Sequence, residues 1–252
     1  MCPTIDANAD FTMDVPGFWE NLWDSDLGEI TNRNDPDTKS RKLKLYHKIL
    51  WSRPLPNGER MDLEYDYSSG GYLKWKDIRL SSDSIAVDLK CRCERLLRST
   101  FSNLDNEYRM MVEEFYHRTY TIGGMILFPK HRNSINQCRG CNQSIMDRWD
   151  LTLECIRRFY SEEESPLSWC LEQDRGFFEL FVDFKGYVDY FLLQDCVTDD
   201  CSKVKMWLDT PLFISYPLPG NKRDYLSWRD CNLEFVSKRN ARIEGLVKEL
   251  NL

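Results

Sequence analysis

The chain has 252 residues, 42% hydrophobic and 13% aromatic, which is enough apolar material for a sizeable core and excludes a disordered chain. Its net charge of -7 excludes a molecule built as a whole to coat nucleic acid or an anionic membrane, so such binding needs a local basic patch. No run approaches ~18 consecutive apolar residues, and MCPTIDANADFTMDVPGFW lacks a basic start and an apolar stretch, so the expectation is a cytoplasmic protein without membrane association. In that compartment the ten cysteines are thiols rather than disulfides, with Cys155, Cys170, Cys196 and Cys231 read as single buried thiols.

There is no internal repeat, low-complexity tract or dividing linker. The pattern predicts one α+β domain over 1–252, mainly helical with a small antiparallel sheet or hairpin, and with 1–34 as a peripheral N-terminal segment. PGFWENLW reads as a short helix with Pro16 in its first turn. In DPDTKSRKLKLYHKILW, Asp35 fits an N-cap and Pro36 the first helical position, while Leu43, Tyr46 and Leu50 recur at helical spacing. Pro54 and Pro56 end that helix. RMDLEYDY alternates as a half-buried strand, with Met61, Leu63, Tyr65 and Tyr67 on one face and Asp62, Glu64 and Asp66 on the other. SSGG turns it, and YLKWKDIRL returns with Lys74, Lys76 and Arg79 opposite the acids.

DLKCRCERLLRSTF and NEYRMMVEEFYHRTY read as helices, and Gly123 and Gly124 in YTIGGMILFP suggest a bulge or a close backbone approach. A helix is expected from about Ile145 to Ser161, with Ser144 and Asp147 as a capping box and Trp149, Leu153, Ile156 and Tyr160 as its buried stripe. Phe177, Phe181, Phe184, Val188 and Phe191 share one helical face, at a spacing that suits core. KVKMWLDTPLFISYPLP looks extended. FVSKRNARIEGLVKEL closes as an amphipathic helix on Val236, Ile243, Val247 and Leu250.

The stretch from Thr121 to Arg158 carries six Lys/Arg and three acids, a local +3 in an otherwise acidic chain. Its loop FPKHRNSINQCRG offers Lys130, Arg132, Ser134, Asn136 and Gln137 as ligand donors before a helix N-terminus, where free N–H groups favour anions. If there is chemistry, Asp147 and Asp150 are the candidate bases and Arg139 and Arg148 the cations that stabilise developing negative charge. The bland alternative is a solvated helix face, since Glu154 and Arg158 stand at i,i+4. Cys138 and Cys141 form a C-x-x-C, with Cys91 and Cys93 as weak partners for zinc, and His117 and His131 as alternates. There is no G-x-S-x-G, H-E-x-x-H or G-x-G-x-x-G, and the motifs leave the cofactor unknown beyond that zinc.

The collinear runs LWSRPLPNG, LSSDSI, SINQCRG, DRWDLTLECIRRFY and FFELFVDFKGYVDYF resemble an uncharacterised bacterial family, a domain of unknown function, over about Asp35 to Gly245. The resemblance implies that INQCRGCN stands where other members read INQARG, which makes Cys138 and Cys141 peculiar to this chain. More distantly, TIGG…LFP…SIN is similar to a segment of some HNH nucleases, without their His–Asn chemistry. Three functions are weighed. The first is an enzyme acting on a nucleotide or nucleic acid in defence or toxin-like growth control. The second is a non-enzymatic module binding a phosphate-bearing small molecule or a protein partner. The third is a zinc-stabilised interaction protein.

Overall fold

A computed structural model of the chain describes residues 4–31, 33–101, 104–139, 145–208 and 218–251. It is an α+β domain, mainly helical, with one four-stranded antiparallel sheet in the order β1-β2-β3-β4: Glu64–Tyr65, Leu73–Trp75, Ile78–Ser84 and Met125–Pro129. The SSGG turn gives the expected hairpin, with Glu64 opposite Lys74 and Leu73 opposite Leu80. Cross-strand charges meet as anticipated for Lys74–Glu64 at 3.3 Å and Arg79–Asp66 at 2.7 Å. Lys76 instead turns back to Glu59, because it occupies a left-handed turn position (φ 53°). Bonds from Ser68, then Arg79, hold the Asp66 carboxyl well below the usual carboxylate range. Strand β1 stops at Tyr65, so the alternation does not carry Tyr67 inward and its ring is exposed.

The helix expected over 35–51 is two helices. Asp35 caps α2 (Pro36–Lys39), as its side chain and Pro36 predict. Ser40 is extended and caps α3 (Arg41–Trp51) by accepting from Leu43 N–H. The earlier helix α1 (Phe18–Leu22) starts after Gly17, so Pro16 precedes it. Phe11, Phe18 and Leu22 of the 1–34 segment lie in the main core beside Leu43 and Tyr46. Leu89 at φ 58° holds α4 to Glu94–Thr100, while α5 runs over Asn106–Thr119. Gly123 and Gly124 form a 3-10 turn in close approach: a Cβ on Gly124 would sit 1.9 Å from Thr119 O, and one on Gly123 2.3 Å from Asn240 Oδ1.

After β4 come α6 (Ile135–Cys138) and α7 (Trp149–Tyr160), the latter starting four residues later than predicted with Arg148 as its N-cap. Ser144 lies outside the described residues. The aromatic stripe is buried throughout, but it is not one helix. After α8 (Ser168–Gln173), α9 (Arg175–Phe178) passes into a 3-10 turn. Val182 then makes a γ-turn (φ 70°, ψ -54°), in which Asp183 N–H donates to Phe181 O at 2.8 Å, and α10 (Phe184–Phe191) follows. The closing helix α11 (Lys222–Leu250) has 29 residues and begins thirteen residues before the apolar pattern suggested. No helix among the described residues is long and apolar enough to cross a membrane.

Candidate functional site

Strand β3 carries the site. It is flanked on both edges by other strands, a setting that favours apolar residues, yet it reads IRLSSDS. Alternation sends Ser82 to one face and Ser81 and Asp83 to the other. Helix α6 and the residue after it lie along the second face. Asn136 Nδ2 donates to Ser81 Oγ at 2.9 Å, and Arg139 Nη1 donates to Asp83 Oδ2 at 2.6 Å and Ser84 O at 3.1 Å. Arg139 Nε reaches Thr152 Oγ1 of α7 at 3.2 Å, and Nη2 lies 2.8 Å from Asp147 Oδ1. The guanidinium is only 3% exposed, while its two acids reach solvent, Asp83 at 24% and Asp147 at 40%.

Two further carboxyls of α2 and its cap act on this centre. Asp37 is pushed well above the usual carboxylate range, first by burial and then by the charges of Asp35 and Asp83; the Ser84 N–H and Arg139 oppose this. Its Oδ1 is buried without a hydrogen-bond partner among the described residues. Burial also raises Asp35. Asp83 is pushed up to about 6 by burial, with Arg139 opposing and Asp147 adding to the rise. One guanidinium thus serves several carboxyls, and near neutral pH protons remain on part of the set.

On the other face of β3, His47 Nε2 lies 3.1 Å from Ser82 Oγ, and Trp51 Nε1 donates to His47 Nδ1 at 3.0 Å. That bond makes Nδ1 the acceptor, so the proton sits on Nε2 and points at Ser82. Burial lowers His47 to about 3 and keeps the ring neutral.

The remaining predicted residues separate. Arg148 and Asp150 face each other with both side chains 0% exposed, Nε to Oδ1 at 3.0 Å and Nη2 to Oδ2 at 2.5 Å. Arg148 lies over Trp228 at 5.3 Å, and Asp150 accepts from Trp207 N–H at 2.9 Å. This closed pair anchors α7 and does not open onto solvent. Lys130 donates to Gly70 O at the far end of β3. Arg132 and Gln137 are exposed, and Ser134 is buried with its hydroxyl on His131 O at 2.9 Å. Cys138 is buried against Cys170. Cys91 is exposed and hydrogen-bonded to Glu29, and burial pushes it up to about 12 and Cys93 up to about 11. Cys141 lies outside the described residues. Among the described residues no group of three or more His, Cys, Asp or Glu could hold a metal ion.

The profile of DUF6994, a family of unknown function, matches residues 5–243. The chain belongs to that family. The DUF6994 match takes in all of the Arg139 cluster, from Asp35 to Thr152, and begins some thirty residues before the resembling runs. No curated protein and no solved structure matches the chain. Within the DUF6994 chain, the site residues that pattern reasoning missed are Asp83 and Asp37. A polar LSSDS between apolar runs was the available signal, because a strand flanked on both sides rarely carries four polar residues without a use for them. Asp37 gave no signal, since it reads as an ordinary first-turn acid.

Proposed function

We propose that this chain is a bacterial cytoplasmic enzyme acting on a nucleotide or nucleic acid by acid–base chemistry at Asp83 and Asp147 beside Arg139, in defence or toxin-like growth control. The carrying observation is Asp83: a partly exposed carboxyl, raised to about 6, held 2.6 Å from a buried guanidinium. A group titrating there can both give and take a proton near neutral pH. Asp147, on the solvent side of the same guanidinium, is the second proton-transfer group. Arg139 orients both and stabilises charge that develops between them. Arg148 and Asp150, sealed against each other, hold α7 in place. The exposed Arg132 and Gln137 offer contacts for an anionic part of the substrate, and Lys130 pairs beside Arg79, four residues from Asp83. At ~3.3 Å per residue that is about 13 Å along β3, which suits an extended substrate.

The test is bacterial growth on controlled induction, wild type beside Asp83→Asn and Asp147→Asn, with soluble expression checked and nucleotide and RNA pools compared. Arrest and pool changes with wild type alone support the reading. Equal growth and unchanged pools for all three, together with no product from a panel of nucleotides and oligonucleotides, would sink it. A non-enzymatic binding module is the second reading, favoured by the engagement of Arg139 with two acids of its own chain; it predicts a ligand without turnover.

A further inference from the structure

Two clefts open beside the start of α11. One, of about 530 Å³, is lined by Lys222, Arg223, Ser227 and Asp230 among others. The second, of about 340 Å³, is lined by Arg92 on the approach to α4, by Arg95 in its first turn and by Pro219 just before α11. These four cations are exposed and make no ion pair among the described residues. Lys222 Nζ lies over the Phe101 ring at 4.9 Å, which draws it toward the α4 side. Many other surface arginines are spent on acids: Arg98 on Glu94, Arg118 on Glu114, Arg175 on Glu172 and Arg242 on Asp195. The acids near the clefts are mostly engaged: Asp230 lines one, Asp224 is held by Asn221 in the first turn of α11, Glu94 and Asp26 are paired with Arg98, Asp88 is paired with Lys90, and Glu29 accepts from Cys91 beside Arg92. In a chain of net charge -7, unpaired cations at two adjoining clefts form a local field of the opposite sign.

We infer that these clefts hold the phosphate backbone of a single-stranded nucleic acid, one phosphate to each of Arg92, Arg95, Lys222 and Arg223. The substrate is then an oligonucleotide and not a mononucleotide. A single strand fits better than a duplex, because four cations in an acidic protein offset only a low density of phosphates. This assignment rests on the nucleic-acid reading of the function.

The experiment is fluorescence anisotropy of a labelled single-stranded oligonucleotide of 20 nucleotides, bound to the full chain across a salt series. Four phosphate contacts give a slope of log affinity on log salt of about -2.8, at ~0.7 per phosphate. The combined variant Arg92→Gln, Arg95→Gln, Lys222→Gln, Arg223→Gln should keep its melting temperature, lose about tenfold or more in affinity and flatten that slope toward zero. Arg41→Gln, an exposed cation elsewhere, should change neither. No binding at low salt, or an unchanged slope in the combined variant, overturns the inference. If mononucleotides are turned over without oligonucleotide binding, the inference falls and the acid–base reading stands. If the clefts bind as described but no nucleic acid is ever turned over, the inference stands and the acid–base reading falls.

Discussion

Asp83→Asn should stabilise the protein at neutral pH. The Asp83 carboxyl rises from 3.8 to about 6 on folding, burial being the largest cause, and this is the net effect after the pull of Arg139. A folded value above the unfolded one means that the folded state binds more protons between those limits, so stability is lost as pH rises through about 6. Holding the carboxyl at about 6 in place of 3.8 corresponds to about 3 kcal/mol at pH 7, and to about 1 kcal/mol at pH 4.5, where the unfolded carboxylate is only partly favoured. Asparagine reproduces the neutral carboxyl and keeps an oxygen for Arg139 Nη1. Urea unfolding at both pH values checks the claim. The variant should gain about 3 kcal/mol at pH 7 and about 1 kcal/mol at pH 4.5. A loss of stability at pH 7, or a gain independent of pH, would refute the assignment of a strained, proton-holding carboxyl.

Arg239 is fully buried, and its guanidinium donates to Phe191 O at 2.9 Å, Gly123 O at 2.9 Å and Met125 O at 2.7 Å. Arg239→Met should cost about 2–4 kcal/mol by chemical unfolding, since three carbonyls lose a charged donor while removal of a buried charge offsets part of the loss. Gly124→Ala should cost about 3 kcal/mol in the same assay, because the added methyl meets the Thr119 carbonyl, a backbone atom that cannot swing aside. Arg148→Met should cost about 3–5 kcal/mol by leaving Asp150 charged and buried, and the double variant Arg148→Met with Asp150→Leu should recover most of it. A single variant as stable as wild type would show that the pair contributes nothing.

Local rules carried the parts of the fold that local chemistry decides. Asp35 with Pro36, the SSGG hairpin, the close approach at Gly123 and Gly124, and the apolar stripe of α7 all follow from neighbours within a few residues. The failures share a cause of the opposite kind. The Phe177 to Phe191 spacing suits a helix, but packing of Phe181 against Tyr187 and Phe191 is satisfied with a γ-turn at Val182 between two helices. The first half of α11 has a polar pattern and is helical because Tyr225, Trp228 and Phe235 are buried against other segments. The site divides the same way. Arg139 and Asp147 were legible from the loop that holds them, and their meeting with Asp83 was not, because a contact across 56 residues leaves no periodic trace. Arg148 and Asp150 stood as candidate site residues for the same reason: the Trp228 ring that covers Arg148 comes 80 positions later.

The three carbonyls held by Arg239 lie 48, 114 and 116 residues upstream of it. At a synthesis rate of ~5–20 residues per second, Gly123 and Met125 leave the ribosome on the order of ten seconds before their donor exists. Met125 begins β4, an apolar edge strand whose five residues are all buried in the finished molecule. During that interval β4 can already pair with β3, which is made before it, while the carbonyls of Gly123 and Met125 wait for their charged donor. The timing of α11 therefore makes closing this corner a late step: a chain that ends before α11 lacks the cation that Gly123, Met125 and Phe191 share.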